Sequence, residues 1–190
     1  MELDVEYEYL FNHTNNLNKI LELSSTMFGE DEYRQNNYSV HKDTKSVILA
    51  FNFNKKDGDV YKFPRYNEFF HLLKPLMVKL KHEFKFKYFK FDRLIIAKLP
   101  AGKSIAHHED NKAIFGNSNR VHWCLQTNSK VDFIIGGKII PFETSNVINI
   151  SNIGFGGHSV QNNSDYDRVH LIIDIYDDTV NKEDYIDKGV

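Results

Sequence analysis

Hydrophobic positions in the first half of the chain repeat mainly with helical spacing. Leucine and isoleucine recur about every three or four positions over residues 16–27, and a longer stripe of this kind covers residues 64–82. Pro75 lies inside the longer stripe, and because proline lacks a backbone donor and clashes with the preceding turn, we expect it to kink or divide that helix. Between the stripes, residues 46–53 predict a strand and Asp57-Gly58 predicts the turn after it.

The second half of the chain consists of short apolar runs separated by turn residues. Phenylalanine and tyrosine alternate with lysine over residues 84–91, which predicts a strand with one buried face, and residues 94–99 continue the β-type pattern. Two apolar runs over residues 131–142 flank Gly136-Gly137, which is the composition of a tight hairpin whose turn requires positive φ. Residues 147–150 and 168–176 add two more predicted strands.

Helices followed by many short strands predict one mainly β domain with supporting helices, in which a helical layer packs on a β-sandwich or jelly roll. A chain of 190 residues fits a single domain. We therefore predict one domain over residues 1–190, with a helical and β support region over residues 1–90 and the β core over residues 91–178.

Composition and charge narrow the partners and the compartment. The chain is 41% hydrophobic with a formal net charge of -2, so it lacks the overall basic field of most nucleic-acid binders. The lysines and aromatic residues at 84–91 fit either a stacking platform for single-stranded nucleic acid or an edge strand protected by lysines, and we favour the edge strand. Cys124 is the single cysteine, and no signal peptide or membrane-spanning run is evident, so we expect a cytoplasmic protein without a membrane partner.

Two histidines and one carboxylate stand out as candidate metal ligands. His108 and Asp110 are two residues apart, so on a strand both side chains point to the same face. His158 follows a glycine-rich segment much later in the chain, on another predicted strand. Two imidazoles and one carboxylate form the facial triad that holds iron(II) and leaves positions open for other ligands. His107-x-Glu109 is the same motif on the opposite strand face, and only one of the two pairs can face the interior.

Arginine residues on two strands are candidate anion-binding groups. Arg168 begins an apolar strand, and its planar fork of donors matches a carboxylate, such as the distal carboxylate of 2-oxoglutarate. The alternative is a surface ion pair of Arg168 with Asp165 or Asp167. Arg120 and His122 face the same way on another strand and repeat the combination.

These motifs occur in a fixed order in one known family. Their positions are Gly102 and Ile105 before His108-x-Asp110, then Arg120-x-His122, then His158-x-Val160-x-Asn162, then Arg168-x-His170-Leu171-Ile172-x-Asp174. In this order they resemble the aspartyl/asparaginyl β-hydroxylase family of 2-oxoglutarate oxygenases. The resemblance covers about residues 92–176, and residues 1 to about 90 carry no motif that matches.

The resemblance implies a fold, a cofactor set and a reaction. The implied fold is a double-stranded β-helix, which is a cupin-like jelly roll. The implied ligands are iron(II) at His108, Asp110 and His158, and 2-oxoglutarate at Arg168 with help from Arg120 and His122. Dioxygen is the second cosubstrate, and the expected product is a hydroxylated amino acid or peptide side chain of the Asp, Asn or Pro type. Two other functions remain open from the residues alone: a non-catalytic cupin-like module that binds a metal or a small acid, and a nucleic-acid-modifying 2-oxoglutarate oxygenase.

Overall fold

The computed structural model describes residues 7–30, 32–53, 60–109, 118–150, 157–182 and 184–186. The predicted turn at Asp57-Gly58 and the predicted ligand Asp110 lie outside these residues. The helices are α1 (Leu17–Ser25), α2 (Tyr33–Asn37) and α3 (Tyr66–Glu83), with a 3-10 helix at Ser39–His41. The strands are β1 (Tyr7–Asn12), β2 (Lys45–Phe51), β3 (Tyr61–Lys62), β4 (Phe89–Leu99), β5 (Ser104–His108), β6 (Asn119–Gln126), β7 (Val131–Ile135), β8 (Lys138–Ile139), β9 (Asn146–Ile150), β10 (His158–Asn162) and β11 (Arg168–Asp177).

The strands form two antiparallel sheets that face each other. The larger sheet has the order β1-β9-β6-β11-β4-β2-β3, and the smaller sheet has the order β5-β10-β7-β8. A buried cluster that includes Leu99 and Ile148 of the larger sheet with Phe133 and Val160 of the smaller sheet joins the two. This arrangement confirms the predicted jelly roll, because neighbours in each sheet come from distant parts of the sequence.

Helix α3 packs with the outer face of the larger sheet. Its buried residues Leu73, Met77 and Leu80 belong to one apolar cluster with Leu171 and Ile173 of β11. Of the two effects predicted for Pro75, a kink or a division of the helix, division was wrong, because the helix is continuous from Tyr66 to Glu83. The large apolar surface that the helix buries on the sheet outweighs the loss of one backbone hydrogen bond.

The prediction of an edge strand over residues 84–91 was wrong. Residues 84–88 instead form the turn that follows helix α3: Lys85 has a φ of 55°, and the Phe86 amide donates to the Lys81 carbonyl at 3.0 Å. Phe84 and Phe86 stack 5.3 Å apart and pack against the apolar cluster between α3 and the larger sheet, which we call the helix-side core. The strand β4 begins only at Phe89 and lies between β2 and β11, in the interior of the sheet.

Two other local predictions are confirmed. Gly136 and Gly137 connect β7 to β8 with φ values of 54° and 79°, as the tight hairpin requires. In β11, Leu171 and Ile173 face the helix-side core, whereas Arg168 lies on the other face, between the two sheets. No helix among the described residues is both long and apolar enough to cross a membrane.

Candidate functional site

His108 and His158 meet at one end of the smaller sheet. They are directly paired residues of the antiparallel strands β5 and β10, and their ring centroids are 4.3 Å apart. Both side chains are half-buried. Strand pairing therefore brings together two imidazoles that are far apart in sequence, as the predicted ligand set requires.

The hydrogen bonds of His108 leave one nitrogen ready to bind a metal. Its Nδ1 lies 2.8 Å from the Ala106 carbonyl, which can only accept, so Nδ1 carries the proton. Its Nε2 then has a lone pair, and this atom is buried with no hydrogen-bond partner among the described residues. A buried acceptor of this kind fits a metal ion, and the Nδ1 bond to a carbonyl is the usual way in which a ligating histidine is oriented.

The alternative pair His107 and Glu109 lies on the solvent side, where both side chains are exposed. Asp110 lies outside the described residues, and within those residues no three potential ligands come together. Next to His158, Gly157 has a φ of 74°, and a Cβ placed there would lie 2.6 Å from the backbone oxygen of His108. The close approach of the two histidine strands thus depends on a glycine at this position.

A pocket between the two sheets opens beside the two histidines. Its described walls come from strands of both sheets and from the segment that contains α2 and the 3-10 helix. The residues are Arg34, His41, Thr44, Arg93, Ala97, Lys98, Leu99, Ile105, His108, Arg120, His122, Phe133, His158, Val160, Arg168 and Ile172. The contribution of Arg34, His41 and Thr44 was not evident from the sequence, because a five-residue helix carries little periodic signal.

Arg168 is buried inside this pocket and does not form the alternative surface ion pair. Only 5% of the residue is exposed, and its Nη2 donates to Nδ1 of His170 at 2.6 Å. Its Nε is buried and has no hydrogen-bond partner among the described residues. Asp167 instead contacts Lys98 at 3.1 Å. Burial lowers the pKa of Arg168 to about 10, so the guanidinium remains charged at neutral pH.

Arg120 lines the same pocket as Arg168 but has a carboxylate partner within the protein. Its Nε and Nη2 donate to the two carboxylate oxygens of Asp174 at 2.7 and 2.9 Å. Arg93 approaches the same carboxylate, with Nε 3.4 Å from Oδ2. At least two of the donors of Arg120 therefore serve to hold β6 and β11 together at the pocket wall.

Two buried histidines at the pocket, His122 and His170, are neutral near pH 7. Burial, with Arg120, Arg168, His158 and Arg34 as further causes, lowers the pKa of His122 well below 6.5. Burial and Arg168 have the same effect on the pKa of His170. Neutral imidazoles present one donor and one acceptor each, which suits them to orient oxygen-rich ligands beside the guanidiniums.

The sequence matches the profile of the family described as Aspartyl/Asparaginyl beta-hydroxylase over residues 15–178. No curated protein sequence matches significantly.

Solved structures with the same fold include several oxygenases. A prolyl hydroxylase from Trichoplax adhaerens, in complex with a hypoxia inducible factor oxygen degradation domain peptide, matches with a TM-score of 0.60 and 15% identity. The match covers 90% of this chain and 82% of that one. A viral collagen prolyl hydroxylase from Paramecium Bursaria Chlorella virus-1 matches with a TM-score of 0.57 and 9% identity, and the match covers 89% of this chain and 94% of that one. A 2OG-Fe(II) oxygenase family oxidoreductase from Burkholderia pseudomallei matches with a TM-score of 0.55 and 15% identity, and the match covers 76% of this chain and 74% of that one.

Proposed function

Because the chain belongs to the aspartyl/asparaginyl β-hydroxylase family, we propose that His108, Asp110 and His158 hold its iron(II) and that Arg168 binds 2-oxoglutarate. The protein is an Fe(II)- and 2-oxoglutarate-dependent dioxygenase, and its reaction is a hydroxylation. Bound iron supplies the redox chemistry by which 2-oxoglutarate and dioxygen become succinate and carbon dioxide while one oxygen atom enters a substrate C–H bond.

The observation that carries the metal assignment is the buried Nε2 of His108. This atom is an acceptor without a hydrogen-bond partner among the described residues, and it lies next to the imidazole of His158. Leaving a buried acceptor without a partner is costly, so a metal ion at this position satisfies it. Asp110 follows His108 by two residues, and we propose it as the carboxylate ligand because that spacing returns its side chain to the same strand face.

The buried Arg168 supports the assignment of 2-oxoglutarate. Among the described residues, the guanidinium of Arg168 has no carboxylate partner and its Nε donor is unused, so it is stabilised when a ligand supplies a carboxylate. His170 orients the guanidinium from the same strand. The Cζ atom of Arg168 lies over the ring of Phe133, 5.3 Å from the ring centroid, which is a cation–π contact.

We propose that Arg120 and His122 assist in different ways. His122 lines the pocket, and its Nδ1 is buried without a hydrogen-bond partner among the described residues, so it is placed to contact the bound ligands. Arg120 acts through its bidentate contact with Asp174, which sets the wall of the pocket, and through its positive charge.

The substrate that we propose is an amino acid or a peptide side chain of the Asp, Asn or Pro type, in the cytoplasm. The family description and the fold shared with prolyl hydroxylases support this class. Cys124 is buried and unpaired, which agrees with a reducing compartment.

Iron binding and substrate-coupled turnover test the proposal. Anaerobic protein should bind about one iron(II) per chain and gain a weak visible absorption band with 2-oxoglutarate. Release of succinate should then increase with at least one member of a panel of free proline, aspartate, asparagine and short peptides. Iron and 2-oxoglutarate binding without any substrate-stimulated succinate would favour a non-catalytic binding module, and stimulation only by single-stranded oligonucleotides would favour nucleic-acid modification.

A further inference from the structure

A guanidinium and an imidazole from the N-terminal segment line the pocket beside the two strand histidines. Arg34 is in α2 and is 7% exposed, and His41 is the last residue of the 3-10 helix. The ring of His41 lies 5.5 Å from the ring of His108, nearly perpendicular to it. Both residues border the pocket on which the proposed iron and 2-oxoglutarate sites also open.

The contact between the two side chains determines which nitrogen of His41 carries the proton. Arg34 Nη2 is 2.9 Å from His41 Nε2, and because a guanidinium only donates, Nε2 must accept. The proton of the neutral ring is then on Nδ1. This Nδ1–H is buried and has no hydrogen-bond partner among the described residues. A buried donor in a ligand pocket is satisfied when the ligand supplies an acceptor.

Hydrogen bonds within the segment that carries the pair hold its shape. Thr44 donates to the His41 carbonyl at 2.7 Å, and Gln35 donates to the Thr44 carbonyl at 2.9 Å. The donor of His41 is therefore held in place before a ligand arrives, which reduces the entropic cost of binding.

The charge of the described pocket lining favours an anion. This lining has five cationic side chains and no carboxylate: Arg34, Arg93, Lys98, Arg120 and Arg168. Asp174 neutralises part of this charge behind the wall, through Arg120 and Arg93. A ligand with a carboxylate gains from this field, whereas an amide of the same shape does not.

We infer that Arg34 and His41 bind a carboxylate of the primary substrate, so that the compound that this enzyme hydroxylates is an acid. The carboxylate belongs either to a free amino acid or to an acidic residue of a peptide. The inference rests on the proposed function, because it assigns Arg168 to 2-oxoglutarate and the Arg34–His41 pair to the substrate. The pair would hold the substrate by its acid group, beside the histidines that bind iron.

Binding of a small acid and of its amide to the metal-loaded protein tests this inference. Protein loaded with Mn(II) is saturated with 2-oxoglutarate and mixed with either isobutyrate or isobutyramide, and the paramagnetic relaxation of the probe methyl protons is measured. Isobutyrate should relax at least about tenfold more strongly than isobutyramide, because only the acid pairs with the guanidinium. Equal relaxation of the two probes by the wild-type protein would overturn the inference without any variant.

Substitutions assign the effect to the pair. Arg34→Gln and His41→Phe should each reduce the isobutyrate relaxation about tenfold and leave the 2-oxoglutarate affinity within about twofold of wild type. Arg65→Gln is the matched control, because it removes an exposed guanidinium that is paired with Glu30 and Glu68 outside the pocket. Wild-type relaxation in both pocket variants, with thermal unfolding showing that they are folded, would contradict the role of the pair.

Turnover distinguishes the two sources of the carboxylate. Free aspartate is compared with asparagine amide, which has no carboxylate, and an N-acetylated, C-amidated tripeptide with a central aspartate is compared with its asparagine analogue. If the acid of either pair stimulates succinate release and Arg34→Gln loses this stimulation, the result supports the inference and identifies the source of the carboxylate. If both amides stimulate succinate release at least as strongly as the acids, the result opposes the inference. A failure of the proposed function looks different: 2-oxoglutarate would not bind, while the effect of Arg34→Gln and His41→Phe on the isobutyrate relaxation would still be measured in its absence.

Discussion

Substitution of Arg168 tests the assignment of 2-oxoglutarate most directly. Its guanidinium is almost fully buried, donates to His170 from Nη2, and has an Nε without a hydrogen-bond partner among the described residues. Arg168→Ala removes the charge and every donor at once. The fold should survive, because none of the described carboxylates depends on this arginine for an ion pair.

The expected loss of affinity follows from the number and type of hydrogen bonds. A bidentate, charge-assisted pair in a partly desolvated pocket contributes about 2 to 4 kcal/mol. This range corresponds to a dissociation constant for 2-oxoglutarate that is roughly 30-fold to 900-fold higher. We expect an increase of at least about tenfold even if water enters the space and partly solvates the free carboxylate.

Titration of the anaerobic Fe(II) protein with 2-oxoglutarate measures this constant, and iron stoichiometry is determined on the same samples. Lys98→Gln is the matched control, because Lys98 also lines the pocket but its Nζ already lies 3.1 Å from Asp167. This control loses one positive charge without losing the proposed bidentate contact, so its affinity should change less than about threefold.

An unchanged 2-oxoglutarate affinity in Arg168→Ala, with iron still bound at one per chain, would refute the reasoning. If Arg168→Ala and Lys98→Gln weakened 2-oxoglutarate binding equally, the charge of the pocket would matter but the bidentate geometry would not. Loss of iron in Arg168→Ala would show that the substitution disturbs the histidine strands, and Arg168→Lys would then be compared with it, since lysine keeps the charge but not the planar fork.

Three further predictions concern the strands β5 and β10, which carry the two histidines, and the buried residue His13. His108→Ala should lose stoichiometric iron(II) whereas His107→Ala should retain it, and the reverse order by iron titration would mean that the strand register is wrong. Gly157→Ala should weaken iron binding and lower the melting temperature more than Gly137→Ala does, because both residues have positive φ but only the Gly157 Cβ would meet other atoms. Burial, with a nearby lysine, lowers the pKa of His13 to about 4, so the folded chain takes up this proton at lower pH than the unfolded chain. The contribution of His13 to the free energy of unfolding should therefore fall by up to about 3 kcal/mol between pH 6.5 and about 4, and His13→Gln should remove this part of the pH dependence in urea unfolding experiments.

The hydrophobic pattern determines the elements whose burial has a simple period. The alternation in β11 assigns Leu171 to the helix-side core and Arg168 to the opposite face, and the structure has this arrangement. The Gly136-Gly137 pair predicts a hairpin, which the structure also has. The order of the histidine and arginine motifs was sufficient to indicate the family. These features are local or depend only on residue order, so a single sequence contains them.

Tertiary contacts decided the remaining features. The alternating aromatic residues at 84–88 have the period of a strand, but the chain must leave α3 there, and Lys85 adopts a left-handed conformation to allow it. Arg120 and Arg168 look equivalent in sequence, yet the pairing of β6 with β11 places Asp174 against Arg120 and not against Arg168. The Arg34–His41 pair reaches the pocket only because the N-terminal segment folds over it. Each of these outcomes depends on which distant residue becomes a neighbour, and that information is absent from the periodicity of any one segment.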